Sequence, residues 1–516
     1  MANPRPRWVA RWEVLAIAGV LLLAVTHRWE RLGDRNLWPD EAYSLDLAQR
    51  TIPDILAFLR ANDAHPVGYY AMLSLWIRVF GENLATMRTL SVIFGLAAVV
   101  LVWRLGRRLF SPAVGVGAAA LLALNPFQIF ASNELRMYMP LEFLALLSTW
   151  TLWRAHESMQ ASRPGYAWWI AYGTALAATA YVSYYAFLLI PAQLLWIALH
   201  RSPGQTVKVV GVALLAAAVL YAPWISYLAS LATFLRNNPL LWRAQPIWPT
   251  YVPELIASQT FGGYLFNMLS YHSTQGMDLK YYGIFLFLFV ALAAAGARAL
   301  GRINRPARSL MALCWVLPVG LVVLASLALH NVAAYHYHLN FLQPFLALFI
   351  AAGVVHFRDE VAQAPGALVT LATTAFVLLF MAPAVENLQW NIDYQYYRYD
   401  RAARLVKDLY RPGDVVIYLP NGVRRGFHFY FDPPGRELGV SLVPQRWTTE
   451  ALQESIREVT AALGPADQRV WLIYSPPLPR GSLEALLEAI EQRGYRRVVV
   501  HDYKGIRVGL LVRPVR

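Results

Sequence analysis

The sequence predicts a mostly α-helical protein: a polytopic membrane helix bundle of about eleven spans, with a smaller extracytoplasmic α/β domain at its C-terminal end. Three observations predict it. Of 516 residues, 57% are hydrophobic and 15% charged, against roughly 25% charged in an ordinary soluble domain. This argues against a soluble multidomain enzyme, and the apolar and aromatic content excludes a disordered chain. Apolar runs of about 17 to 22 residues recur through the first three quarters of the chain. After Glu386 the pattern changes to short β-rich runs alternating with helical ones. The domains are therefore read as 1–385, membrane-embedded, and 386–516, soluble.

The candidate spans are 9–28, 89–105, 112–131, 138–154, 166–182, 184–200, 207–228, 281–299, 309–329, 339–356 and 366–385. Their centres avoid Asp, Glu, Lys and Arg, each of which costs at least about 2.5 to 3.5 kcal/mol at a helix centre. The uncharged stretch from Pro164 to His200 is too long for one helix and divides near Val182–Tyr185. Arg5, Arg7 and Arg11 give the first span the basic flank of a signal peptide. No small-x-small cleavage site follows Ala24, so it reads as an uncleaved anchor.

Charge orients the set. Arg104, Arg107 and Arg108 follow the second span, Arg154 and Arg163 the fourth, and Arg201 and Lys208 the sixth. Arg298, Arg302, Arg305 and Arg308 follow the eighth, and Arg358 the tenth. Every second loop is basic, which makes those loops and the N-terminus cytoplasmic. The loops 29–88, 131–138, 229–280 and 330–338, and everything after 386, then lie outside the cell membrane. Pro66–Phe80 is too short for a span and reads as a helix at the outer surface. The distribution of the +14 net charge matters more than its size, because basic residues beside apolar spans set orientation, and no nucleic-acid partner is expected. The single cysteine, Cys314, permits no disulfide framework.

In the C-terminal part, strands are expected at 414–419, 469–474, 497–501 and 506–512, and helices at 449–463 and 482–493. Asp393–Arg404 reads as a tyrosine- and arginine-rich connector. No glycine-rich phosphate loop opens either helix.

Candidate functional residues gather in the outer loops. Loop 29–88 carries Trp38-Pro39-Asp40-Glu41. Proline and acidic residues also suit a helix start, so both readings stand at Asp40 and Glu41. Downstream come His65-Pro66 and then Arg88 at the outer mouth of the second span. The short loop after the third span reads Asn133-Glu134-Leu135-Arg136-Met137-Tyr138. Two crossings separate Asp40 from Glu134, so both face the same side. The loop before the tenth span reads Tyr335-His336-Tyr337-His338; aromatic packing is favoured there over metal binding, because the two histidines have no third ligand assigned.

Ordered in this way, the motifs resemble the membrane glycosyltransferases of the GT-C fold, nearest to the protein O-mannosyltransferases and the bacterial aminoarabinose lipid A transferases. The resemblance covers roughly residues 10–360 and is most specific between Asp40 and Arg136. It implies a sugar carried on a polyprenyl monophosphate and transferred outside the membrane with inversion. It assigns the base to Asp40 and sets His65, Arg88 and the Glu134–Tyr138 motif at the substrate. One departure is visible: the family often carries Arg-Tyr before a late span, whereas this chain has His336-Tyr337-His338 before Pro344.

The chemistry is consistent with these residue types. The acceptor hydroxyl needs a proton acceptor, which a carboxylate supplies. A phosphate leaving group needs positive charge where negative charge develops, and the arginine fork binds two of its oxygens. Asp40, the expected base, and Glu41 are thus the expected catalytic residues; His65, Arg88, Glu134, Arg136, Tyr138, His336 and His338 are the expected substrate-binding residues. No cofactor or metal site is required by this reading, and metal dependence stays open. The expected partners are a polyprenyl-phosphate sugar, membrane lipids, and a lipid, glycan or protein acceptor. A transporter or lipid flippase, and an envelope-assembly scaffold, are the competing classes.

Overall fold

The computed structural model describes residues 11–30, 32–62, 65–160, 165–200, 203–237, 247, 251–260, 279–330, 334, 336–361, 397–440, 449–475 and 481–514. The chain forms two compact units. One comprises Met1–Leu32, Ile52–Phe234 and Ala244–Ile392. The other comprises Gly33–Thr51, Leu235–Arg243 and Asp393–Arg516. The units thus do not follow the chain in two consecutive blocks.

The first unit is helical. Its longer helices are α1 (Arg11–Trp29), then, past the helix α2 described below, α3 (Ile52–Asn62), α4 (Gly68–Phe80), α5 (Leu84–Leu109), α6 (Pro112–Leu124), α7 (Pro126–Ser132), α8 (Tyr138–Gln160) and α9 (Tyr166–Val182). They are followed by a 3-10 turn (Tyr184–Leu188), α10 (Leu189–Leu199), α11 (Pro203–Asn237), α12 (Tyr251–Thr260), α13 (Leu279–Ile303) and α14 (Arg305–Leu329). A second 3-10 turn (His336–Leu342) leads into α15 (Gln343–Val361). Caps explain several starts. Asn83 accepts from the Ala85 amide, Ser111 from Val114 and Asn304 from Ala307, each satisfying a donor the helix itself leaves open. The uncharged stretch divides where expected, α9 ending at Val182 before the 3-10 turn.

Six helices among the described residues are long and apolar enough to cross a membrane. A further pair, α6 and α7, is bent by 64° at its break. Asn125 makes that break: its side chain caps the amides of Phe127 and Gln128, and Pro126 opens the next helix. Among the described residues the expected count of about eleven is therefore not reached, and 366–385 lies outside them. Helices approach closely through small residues. A Cβ on Gly296 would fall 1.9 Å from the Phe349 carbonyl oxygen, and one on Gly353 2.1 Å from that of Leu292. The α13–α15 contact thus depends on bare backbone, as is common where lipid gives helices little hydrophobic drive to associate.

The second unit is built on a five-stranded mixed sheet in the order β2-β1-β3-β5-β4. The strands are β1 (Val415–Leu419), β2 (Arg436–Gly439), β3 (Arg469–Tyr474), β4 (Arg496–Tyr503) and β5 (Ile506–Val512). β1 is parallel to β2 and β3, while β5 is antiparallel to β3 and β4. The two-residue period splits β1 between two cores. Val415, Ile417 and Leu419 pack with α18 (Thr449–Ala461) and α19 (Ser482–Glu491), whereas Val416 and Tyr418 pack with α16 (Tyr399–Leu409) and α17 (Val423–His428).

Two elements here correct the sequence reading. The supposed connector becomes α16 from Tyr399 onward, because Tyr399, Ala402, Ala403 and Val406 bury one helical face against Trp471 and Val508. The edge strand β2 was not foreseen, being only four residues long. The helix α2 (Pro39–Ala48) belongs to this unit and packs on α17.

Candidate active site

In the second unit, Pro39 opens α2, and the Glu41 carboxylate turns back to accept the Trp38 backbone N–H at 3.4 Å. Glu41 is fully buried and lies 4.0 Å from Arg35. The helix-start reading thus holds for Glu41. Asp40, one residue earlier, keeps its side chain partly exposed.

The segment around Asp40 is held by residues from far along the sequence. Asn36 donates to Asp400 at 2.7 Å and accepts from the Tyr430 hydroxyl at 3.1 Å. The Leu37 amide donates to the same hydroxyl at 3.2 Å. Arg425, on α17, pairs with Asp46 at 3.1 Å and lies over the Tyr43 ring at 5.1 Å. Burial alone would raise the Asp400 pKa, but hydrogen bonds from Arg398 and Asn36 and the Arg398 charge hold it below the usual carboxylate range.

In the first unit, His65 sits in the turn before α4, its ring edge-on to Tyr70 at 6.5 Å between centroids. Arg88 is buried in the first turns of α5 and donates to the Leu32 carbonyl at 2.9 Å. One turn on, Ser91 donates to the Glu134 carbonyl at 2.6 Å and so fastens the Glu134–Arg136 link to the same helix. Glu134, Arg136 and Tyr138 are all buried.

The late loop comes to the same place as Tyr138. Tyr138 packs on Tyr337 at 5.7 Å, and His338 stacks on Tyr185 at 4.5 Å. Aromatic packing is what the described residues of this loop display; the His336 side chain lies outside them.

Sequence reasoning missed a buried polar network beside these motifs. Arg28, at the end of α1, donates to the Leu122 and Ala123 carbonyls at 2.9 and 2.8 Å and to Ser132 at 3.0 Å. Gln128 on α7 donates to both Glu142 and Gln343, and Gln343 donates to the Ser258 carbonyl. Asn340 donates to Glu142 at 3.4 Å. The available signal was a charge inside an apolar run at each of Arg28 and Glu142, both fully buried.

Among the described residues, His428, Asp432 and Glu437 form the group with spacing suited to a metal. Its contacts are those of an ion-pair network instead. The two ring nitrogens of His428 face different carboxylates, and Arg424 brings its own cation to Glu437.

Residues 64–227 match the family described as dolichyl-phosphate-mannose-protein mannosyltransferase, a stretch that includes His65, Arg88 and Glu134–Tyr138. The crystal structure of ArnT from Cupriavidus metallidurans bound to undecaprenyl phosphate is similar, with a TM-score of 0.62 at 14% identity over 97% of this chain and 98% of that one. The archaeal oligosaccharyltransferase AglB from Archaeoglobus fulgidus, in complex with an inhibitory peptide and a dolichol-phosphate, gives a TM-score of 0.58 at 12% identity over 96% and 74%. No curated protein matches the sequence. The chain shares the fold of these two structures.

Proposed function

We propose that the protein transfers a sugar from a polyprenyl monophosphate to an acceptor hydroxyl at the extracytoplasmic face of the membrane, by inverting displacement. Asp40 takes the acceptor proton. Arg88, Arg136 and His65 serve the donor phosphate, with Tyr138, His336, His338 and Glu134 completing the substrate contacts. Glu41 orients the helix start. The bundle crosses about eleven times, with a cytoplasmic N-terminus and residues 386–516 outside.

The observation that carries this reading is the family match over residues 64–227. The fold likeness to proteins whose structures hold undecaprenyl phosphate and dolichol-phosphate supports it. So does the partial exposure of Asp40 beside the fully buried Glu41. Chemically, a carboxylate base and arginines at a phosphate leaving group are the parts that the displacement requires.

One observation favours a second reading. Broken helices and buried charges mark transporters, and the α6–α7 bend and the Arg28–Glu142 network have that character. One experiment separates the two. Purified protein is incubated with several polyprenyl-phosphate sugars and an envelope extract as acceptor, and donor and product are followed by mass spectrometry, with anomeric configuration assigned by NMR. Glycosyl transfer expects donor consumption and an inverted product. Movement of labelled lipid across proteoliposomes with every donor intact would replace it with the flippase reading.

A further inference from the structure

We infer that the sheet domain is a positioning device for the helix that carries Asp40, acting through Arg425, Tyr430 and Asp400. This rests on the reading of Asp40 as the base.

The helix α2 has ten residues, and isolated helices shorter than about 12 residues are marginal in water. Its persistence therefore depends on what it packs against, and within its own compact unit that is α17 and the segments around it. The anchors bracket Asp40 on both sides. Upstream, Asn36 and Leu37 are tied to Asp400 and Tyr430 by three hydrogen bonds of 2.7 to 3.2 Å. Downstream, Tyr43 and Asp46 meet one guanidinium, that of Arg425. A ligature at each end fixes both the rotation and the axial position of the turn that holds Asp40. The sheet domain contributes all three partners: Asp400 from α16, Arg425 from α17, and Tyr430 just beyond it.

Arg425 is suited to a test. Asp46 is also paired with Arg50 at 3.0 Å, so removing Arg425 strands no charge. The pair is partly exposed, and such pairs add little to global stability. Positional precision is more sensitive: a misplacement of about 1 Å can cost on the order of 100-fold in rate.

The test uses the full chain in detergent, with two independent readouts. Arg425→Ala and Tyr430→Phe are expected to speed amide hydrogen exchange across residues 39–48, and to lower kcat roughly 10- to 100-fold while donor Kd and the melting temperature hold. The charge exchange Asp46→Arg with Arg425→Asp is expected to recover part of both losses; a fall in kcat at unchanged melting temperature is what a merely structural role would not produce. Wild-type exchange in both single variants would overturn the inference, as would faster exchange with unchanged kcat. Absence of any transfer by the wild-type protein counts against the glycosyltransferase reading instead, since hydrogen exchange reads the docking without a donor.

Discussion

Gln128 donates to Glu142 at 2.5 Å and, from the same nitrogen, to Gln343 at 2.7 Å. One buried amide thus joins α7, α8 and the start of α15, and Asn340 reaches the same carboxylate from the late loop. The network fixes the elements that carry Glu134, Arg136 and His338 relative to one another.

Removing the carboxylate should therefore be costly. Glu142→Ala strips Gln128 and Asn340 of their acceptor and removes the countercharge of buried Arg28. Breaking one partner of a buried pair typically costs about 3 to 5 kcal/mol. Glu142→Gln keeps a hydrogen-bond acceptor and should cost less. Thermal unfolding in detergent checks the order; an alanine variant that melts with the wild type would show that the network contributes nothing to stability.

Asp40→Asn preserves size and removes the proton-accepting charge. A general base typically contributes about 10² to 10⁴ in rate, so turnover should fall by about that factor while donor affinity holds. Glu41→Gln should cost less turnover and more stability, since Glu41 is the buried partner of the helix start. Asparagine also serves well at a helix start. A folded Asp40→Asn protein with full turnover would return Asp40 to that simpler role.

Both candidate phosphate-binding arginines, Arg88 and Arg136, are buried. Arg88 already gives one nitrogen to the Leu32 carbonyl, so Arg88→Ala should both loosen that contact and weaken donor binding. Arg136→Ala, at a second buried arginine, should likewise weaken donor binding. Lysine should rescue each only in part, because it lacks the planar fork. Equilibrium binding of a fluorescent polyprenyl phosphate measures this, and unchanged affinity in both alanine variants would remove them from the donor site.

Asp400 gives a dependence on pH. Its folded-state pKa is depressed, so its contribution is fully present above the unfolded value of about 3.9 and fades as pH falls through the lower folded one. The gap in melting temperature between wild type and Asp400→Asn should stay constant near neutral pH and close as pH falls toward about 3. A gap that is independent of pH would mean that the bonds to Asn36 and Arg398 do not favour the charged form.

The long apolar helices were legible because lipid-facing helices must be apolar along their length, and the C-terminal strands because β1 and β3 are short runs rich in Val, Ile, Leu and aromatic residues. The helix α16 was obscured by its tyrosines and arginines, although Tyr399, Ala402, Ala403 and Val406 have helical spacing. Asp40, His65, Arg88 and Arg136 stood out as polar groups at an apolar boundary. Their supports did not. Asn36 and Asp400 are 364 residues apart, and no local pattern announces a hydrogen bond over that distance. Glu142 was legible only as one acid inside an apolar helix, which says nothing of the amides that meet it.

The interleaved path of the second unit imposes an order in time. Gly33–Thr51 leaves the ribosome long before Asp393, and at roughly 5 to 20 residues per second the wait is on the order of 20 to 70 s. Throughout it, Asn36, Tyr43 and Asp46 have no Asp400, Tyr430 or Arg425 to meet. A nascent or truncated chain can insert its helices yet still lack a docked α2, whose contacts are completed only as residues 393–516 are made. An incomplete copy lacks Asp400, Arg425 and Tyr430, the partners of the segment that carries its candidate base.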